Sequence, residues 1–316
     1  MSEVTNTNTN ATNLRDPENE VRVEGYLSEK NLEVKQFDGV DTIVGDLKIQ
    51  TSETNVLTFR VYTPKLKKDK TPNKIYDGIA TVMNEYKSIA KDGKENADRI
   101  RITAGQMNPN TYFVNGQELY NIQYRSSFFN RVAPGKEGDL KAEAIIELFV
   151  KAIVPEMNKE GEPTGRVIVK GLMPLVSSDK NNVIEPVDLI APAEDGIAEA
   201  IEDSDVVTPG KTVTFYANII NNVRTYDVEV PVLIGKPRIE KKTERKEELI
   251  ITNVKCSYDP EDENSKAFDP EVIRKAVTER ETRLTEKKAA SSKPANAGNA
   301  SGAKSAPKAS GRTLPW

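Results

Sequence analysis

A single helical stretch, set between three alternating runs and two more, dictates the architecture open to this chain. Val21-Arg22-Val23-Glu24-Gly25-Tyr26-Leu27 alternates with period two, as a half-buried strand does, and Thr42 to Ile49 and Val56 to Thr63 do the same. In the last of these Leu57, Phe59 and Val61 share one face, while Thr58, Arg60 and Tyr62 share the other. The period then changes. Ile79, Val82, Met83, Tyr86 and Ile89 recur at helical steps and predict an amphipathic helix across roughly 78–90. Alternation resumes at Arg99-Ile100-Arg101-Ile102-Thr103, then at Tyr112-Phe113-Val114 and from Leu119 to Val132. Asn115-Gly116 stands between the last two runs, and both central residues of a type I′ hairpin turn need positive φ, which this pair tolerates.

Three strands, a helix and further strands fit a five-stranded barrel of the oligonucleotide/oligosaccharide-binding (OB) type, which carries its helix between the third and fourth strands. The order then recurs. Ile145–Val154, Arg166–Leu172 and Ile184–Ile190 match the first three strands, Asp195–Glu202 stands where the helix stood, and Lys211–Ala217 matches Arg99–Ala104. Shared order over so long a span reads as a tandem repeat. The expected fold class is mainly β with some α: tandem OB-like five-stranded barrels, a C-terminal helix and a disordered tail. The expected organisation is a disordered start over 1–19, a first OB-like domain over 20–138 and a second over 139–258. An acidic turn and helix over 259–288 and a disordered basic tail with an apolar tip over 289–316 complete it.

Leu249 to Val254 reads as a last strand, with Cys256 packed beside it. Asp269-Pro270-Glu271 opens a helix: Asp caps it, Pro suits its first turn, and Glu meets the positive end of the helix dipole. Val272, Ile273, Ala276, Val277, Arg280 and Leu284 give that helix a narrow stripe for docking on a domain. From Ala289 onward Ala, Ser, Lys, Gly and Pro dominate without periodicity, as in a linker. The tail holds Lys293, Lys304, Lys308 and Arg312 with no acid and ends in Leu314-Pro315-Trp316, which includes the only tryptophan.

Composition narrows the chemistry. There is no histidine and one cysteine, so histidine acid–base catalysis, an internal disulfide and an ordinary zinc site are all disfavoured. No phosphate-cradling glycine motif occurs. The expectation is therefore a binding protein, not an enzyme, with no cofactor and no metal. No apolar run reaches membrane-spanning length, and Met1 to Asn13 lacks the pattern of a secretory signal, so a cytoplasmic location is expected (the host cytoplasm if the gene is phage-borne). At a net charge of −4, any affinity for nucleic acid must come from a local basic surface.

The first module offers one. Thirteen of the 18 Phe and Tyr residues fall by Phe149, all but Phe149 itself within 20–138, and residues 60–74 carry six cations against one anion. Binding a single strand needs cations along the phosphates and aromatic faces for the bases. The candidate groove comprises Arg60, Tyr62, Arg99, Arg101, Arg125, Phe129 and Arg131, with Tyr112 and the loop bearing Lys65, Lys67, Lys68 and Lys70 at its rim. Arg125, Phe129 and Arg131 share a face only if their strand has no bulge. Tyr120, Tyr124 and Phe128 read as core residues. The residues alone leave the Arg60/Tyr62 and Arg99/Arg101 pairs open between a binding groove and an ordinary charged face. The second module is unlike the first: Glu185 to Asp205 holds eight acids and no Lys or Arg, a field that repels phosphate and suits a scaffold, a protein contact or a homo-oligomer.

With two barrel-like modules over 21–132 and 145–223 and the tail over 289–316, the chain resembles phage-type single-stranded DNA-binding proteins. The resemblance implies coating of single strands, of DNA or RNA, in replication or recombination. It also implies recruitment of replication or recombination proteins through a proline-containing apolar tip, here Leu314, Pro315 and Trp316. Bacterial relatives carry acids before that tip, whereas this chain has Gly311-Arg312-Thr313. The rival readings are a structural or assembly protein that uses β-barrels as interaction modules and, from a third class, a histidine-free enzyme acting on nucleic acid.

Overall fold

The computed structural model describes residues 13–175, 182–230, 238–262 and 265–291. Strands β1 (Asn19–Phe37), β2 (Val40–Gln50) and β3 (Val56–Pro64) lead into helices α1 (Lys74–Glu85) and α2 (Ile89–Asp92). Strands β4 (Arg99–Val114) and β5 (Gln117–Arg125) follow, with a two-residue strand, β6 (Asn130–Arg131). The ring closes in the order β1-β2-β3-β5-β4-β1, antiparallel except for β3 beside β5. The turns are those the chain chemistry favours: Asn115-Gly116 and Asp38-Gly39 all have positive φ. The helical stretch predicted over 78–90 starts earlier and divides in two, because Tyr86 leaves helical geometry at ψ 142.

A second ring has the same order. It uses β7 (Lys141–Met157), β8 (Pro163–Leu175), β9 (Val183–Ala191), β10 (Thr212–Val230) and β11 (Arg238–Tyr258), with the short α3 (Ile197–Glu202) between its third and fourth strands. Here too the third strand meets the fifth in parallel, at Ile190 and Ile250. The expected tandem of OB-like barrels therefore describes the fold. Among the described residues, a final helix α4 (Pro270–Ser291) follows, capped by Asp269 as its sequence predicts: the Asp269 side chain accepts the Glu271 N–H at 2.8 Å.

The rings are joined edge to edge. Asn19–Glu24 of β1 pair antiparallel with Lys141–Ile146 of β7, so β4, β1, β7 and β10 form one continuous antiparallel sheet across the join. Val21 and Val23 of one strand and Ala142 and Ala144 of the other contribute to one apolar core that runs through both rings. β1 then exchanges β7 for β2 at Gly25, where a Cβ would lie 2.5 Å from the Gln50 carbonyl oxygen, so no larger residue fits that bend.

On the opposite face of this sheet, two buried glutamates occupy corresponding places. Glu24 accepts Nε of Arg99 at 2.8 Å, Nε of Arg101 at 2.6 Å and the Gly138 N–H at 2.8 Å. Glu147 accepts both terminal nitrogens of Arg15 at 2.7 and 2.5 Å and the Glu18 N–H at 2.9 Å. Each carboxylate thus holds the segment that enters the first strand of the other ring. Residues 13–18, expected to belong to a disordered start, instead pack on the second ring: Arg15 also lies 4.5 Å over the Phe268 ring, and Leu14 joins a small cluster with Leu172, Ile184, Phe268, Ile273 and Ala276. Residues 1–12 and the tail from 292 onward, which carries Leu314, Pro315 and Trp316, lie outside the described residues.

The two β4–β5-type hairpins are also exchanged between the rings. The β4–β5 arm lies against β9, where Thr111 donates to Glu185 at 2.7 Å and the Tyr120 hydroxyl donates to the Pro186 carbonyl at 2.8 Å. Arg280 of α4 closes this contact with a buried ion pair to Glu185 at 2.9 Å and a bond to Thr111 at 2.8 Å. In the other direction, the Asn55 side chain donates to the Ile219 carbonyl at 3.0 Å and accepts the Asn221 N–H at 2.7 Å, pinning β10 to the first ring.

Two stability predictions follow from these clamps. Burial alone raises the Glu24 pKa, but the bonds from Arg101 and Gly138 and the charges of both arginines outweigh it and hold the carboxyl below its ordinary range. A carboxyl with a depressed folded pKa stabilises the fold above its unfolded value, and that contribution disappears as pH falls through the folded value. Glu24→Gln is expected to cost about 2–4 kcal/mol at neutral pH, somewhat below a fully buried pair because Arg101 is partly exposed. In urea titrations the gap to the parent protein should narrow below about pH 4; a gap independent of pH contradicts this. Arg280→Ala, which strands Glu185 in the interior, is expected to cost about 3–5 kcal/mol, and a paired Arg280→Met/Glu185→Leu variant to recover most of it.

Candidate nucleic-acid interface

Strand β3 projects Leu57, Phe59 and Val61 into the first ring and leaves Arg60 and Tyr62 outside. Because β3 runs parallel to β5, Arg60 lies beside Arg125, and Arg125 pairs in turn with Gln106 of β4. These strands frame an open groove of about 720 Å³ lined by Arg60, Tyr62, Gln106, Gln123, Arg125 and Phe128, among others. Tyr62 is 63% exposed and Phe128 57%. Phe37, at the end of β1 beside the Asp38-Gly39 turn, extends the aromatic surface with its ring 5.7 Å from Tyr62. Lys65, Lys67, Lys68 and Lys70 stand exposed on the loop after β3, with Lys65 3.7 Å from Asp41.

Large aromatic faces open to water are costly in apolar hydration, and here they sit among cations whose one cross-strand acid is Asp46, opposite Arg60 in the β2–β3 register. Among the described residues neither Arg60 nor Arg125 takes part in an ion pair; Arg125 makes only a long 3.5 Å contact to Gln123. Most arginines on the two rings are otherwise engaged, including Arg22, Arg99, Arg101, Arg131, Arg166 and Arg245.

The structure therefore divides the predicted set. Arg60, Tyr62 and Arg125 line one groove, and the four lysines lie on the loop that continues β3. Arg99 and Arg101 do not join them: they point to the inter-ring sheet face and are held by Glu24. Their mutual bond with Glu24 keeps the Arg101 guanidinium above its ordinary pKa. Arg131 is bound to Asp98 at 2.9 Å and lies 4.4 Å over Tyr86. Phe129 is in the core, 5% exposed and edge-on to Phe59 at 5.9 Å. The cause is a break at 126–129 that ends β5 and reverses the alternation, turning Phe129 inward and Phe128, expected in the core, outward. Tyr112 is half-buried on the arm directed at the second ring and does not line the groove. Tyr124 is buried as expected, and its removal from water pushes its pKa far above the ordinary phenol value.

Phe37 and Phe128 are the site residues that sequence reasoning missed. The Asp38-Gly39 pair was the available signal for Phe37, since a residue flanking a tight hairpin turn is seldom core. Among the described residues the second ring lacks this surface. Where ring one places Arg60 beside Arg125, ring two places Ile190 beside Ile250, with Ile190 buried. Arg166 is held there between Glu156 at 3.3 Å and Glu248 at 3.0 Å.

Two five-stranded rings of one order, each with its helical segment between the third and fourth strands, define a tandem OB-like β protein. The chain belongs to the YorF family, whose family model matches residues 18–290. Among solved structures it is similar to the single-stranded DNA-binding protein of Thermus aquaticus. A deletion variant of that protein aligns at 11% identity with a TM-score of 0.44, covering 76% of this chain and 95% of the other. The wild-type form aligns at 11% identity with a TM-score of 0.43, covering 77% and 94%. No curated protein matches the sequence. Among the described residues no cluster of ligating side chains is arranged to hold a metal ion, and no helix is long and apolar enough to cross a membrane.

Because Phe128 is exposed and Phe129 is packed, Phe128→Ala is expected to leave unfolding unchanged within about 0.5 kcal/mol. Phe129→Ala is expected to cost about 3–5 kcal/mol in the same denaturant titration. Equal costs for the two neighbours contradict the assigned break.

Proposed function

We propose that the chain binds single-stranded nucleic acid, without catalysis, through the outer face of its first ring. One observation carries this reading: exposed Tyr62, Phe128 and Phe37 stand together with Arg60 and Arg125, arginines that form no ion pair among the described residues. Each base stacked on such a ring is worth about 1–3 kcal/mol, and every base has a face to offer, so affinity without sequence preference results. The projecting rings need unstacked bases, which single strands supply and duplexes withhold. The unit that binds is the first OB-like module, 20–138, while the second, 139–258, serves as scaffold. DNA is the substrate we favour, in the coating of single strands during phage replication or recombination. Contact with replication or recombination proteins through the apolar tip belongs to the same proposal.

Fluorescence anisotropy with labelled oligo-dT at two salt concentrations tests it. Binding should weaken with salt, because bound phosphates displace counterions. Tyr62→Ala should weaken it by about 5- to 150-fold, whereas Arg60→Gln with Arg125→Gln should reduce the log–log salt slope by about 1.4. An RNA competitor of the same sequence measures the preference between the two sugars. No binding to any single strand at about 50 mM salt would falsify the proposal and leave the assembly-protein reading in its place.

A further inference from the structure

Helix α4 is docked at one end only. Val272, Ile273, Ala276 and Arg280 are buried, and beyond Arg280 no residue of the helix is. The sequence gives the reason: Glu281 to Lys288 holds one large apolar residue, Leu284, too little to fasten a further stretch of helix to the rings. From Glu281 to Ser291 the helix therefore carries the chain about 16 Å past its last anchor.

That anchor stands on a strand of the groove. Arg280 donates to Thr111 of β4 at 2.8 Å, and Gln106, further back on β4, lines the groove. Along the strand these two residues are about 17 Å apart. Even with the helix pointing straight away and the length of the Arg280 side chain added, Ser291 lies within about 45 Å of the groove. The chain from Ser292 to Lys308 spans up to about 56 Å when extended, so its cations reach the groove whichever way the helix points.

The sequence after α4, over 292–316, has Lys293, Lys304, Lys308 and Arg312 and no acid. The chain carries −4 and this segment +4, which leaves −8 on residues 1–291. A strand in the groove thus meets a body that repels it outside the local basic surface and a tethered segment that attracts it. Lys304, Lys308 and Arg312 recur every fourth residue with only Ser, Ala, Pro and Gly between them, so no neighbouring carboxylate competes with a phosphate for them. The tether makes the encounter intramolecular, at an effective concentration on the order of mM.

We infer that the segment after α4 is a basic arm that lies along the phosphates of the bound strand, on the nucleotides that emerge from the first ring's groove. The inference rests on the proposed binding by the first ring. It assigns the segment's cations to nucleic acid and leaves Leu314, Pro315 and Trp316 to protein partners.

Salt titrations of the full-length chain with an oligo-dT of about 30 nucleotides test it. In Lys293→Gln/Lys304→Gln/Lys308→Gln/Arg312→Gln the log–log salt slope is expected to fall by about 2.8 relative to the parent protein, and in Lys304→Gln/Lys308→Gln by about 1.4. An unchanged thermal midpoint verifies that each variant is folded. Slopes equal to the parent's overturn the arm, while the groove stands if Tyr62→Ala still weakens binding. Tighter binding by the variants also overturns it, because the cations would then rest on the chain's own acids in competition with the strand. Absence of binding by the parent overturns both.

Discussion

The antiparallel contact between Asn19–Glu24 and Lys141–Ile146 organises the molecule. It merges two barrels into one core and one continuous sheet, and it brings two internal glutamates to matching places on the outer face. A carboxylate removed from water at a strand join is tolerated only when paired and hydrogen-bonded. Both glutamates meet that demand by seizing arginines and the backbone of the segment entering the other ring. The geometry of the rings, and hence which hairpin reaches which barrel, follows from this join.

The join also decides which cations remain available. Arg99 and Arg101 are consumed at Glu24, Arg15 at Glu147, and Arg280 at Glu185. Arg60 and Arg125 lie on β3 and β5, strands that take no part in the join, and form no ion pair among the described residues. Two rings of the same order therefore end with different surfaces: basic and aromatic on the first, closed by apolar packing and ion pairs on the second. The acidic stretch over 185–205 is in part structural, since Glu185 is buried as the partner of Arg280.

Local physics made most of the fold legible. Period-two alternation located the ring strands, the Asn115-Gly116 pair located a turn, and Asp269-Pro270-Glu271 located the start of α4. The order of elements carried the barrel architecture twice. What stayed hidden depends on contacts between distant residues or on breaks in period. Glu24 lies 75 residues from Arg99 and 77 from Arg101, so nothing near either arginine announced its partner. The run from Leu119 to Val132 reads as one strand, yet its interruption exchanges the expected places of Phe128 and Phe129. Of the candidate groove, Arg60, Tyr62 and Arg125 were legible because alternation holds in β3 and through the end of β5. The length of the β10–β11 ribbon was not, since charged residues such as Lys241 and Lys242 lack the apolar alternation by which a half-buried strand is recognised.

The central claim is that bases stack on the first ring's outer aromatics. An oligo-dT carrying iodouracil, photo-crosslinked to the full chain and mapped by peptide mass spectrometry, examines that contact directly. Crosslinks at Phe37, Tyr62 or Phe128 are the predicted result. Crosslinks confined to the β9 face of the second ring, or to the inter-ring sheet around Arg99 and Arg101, contradict it.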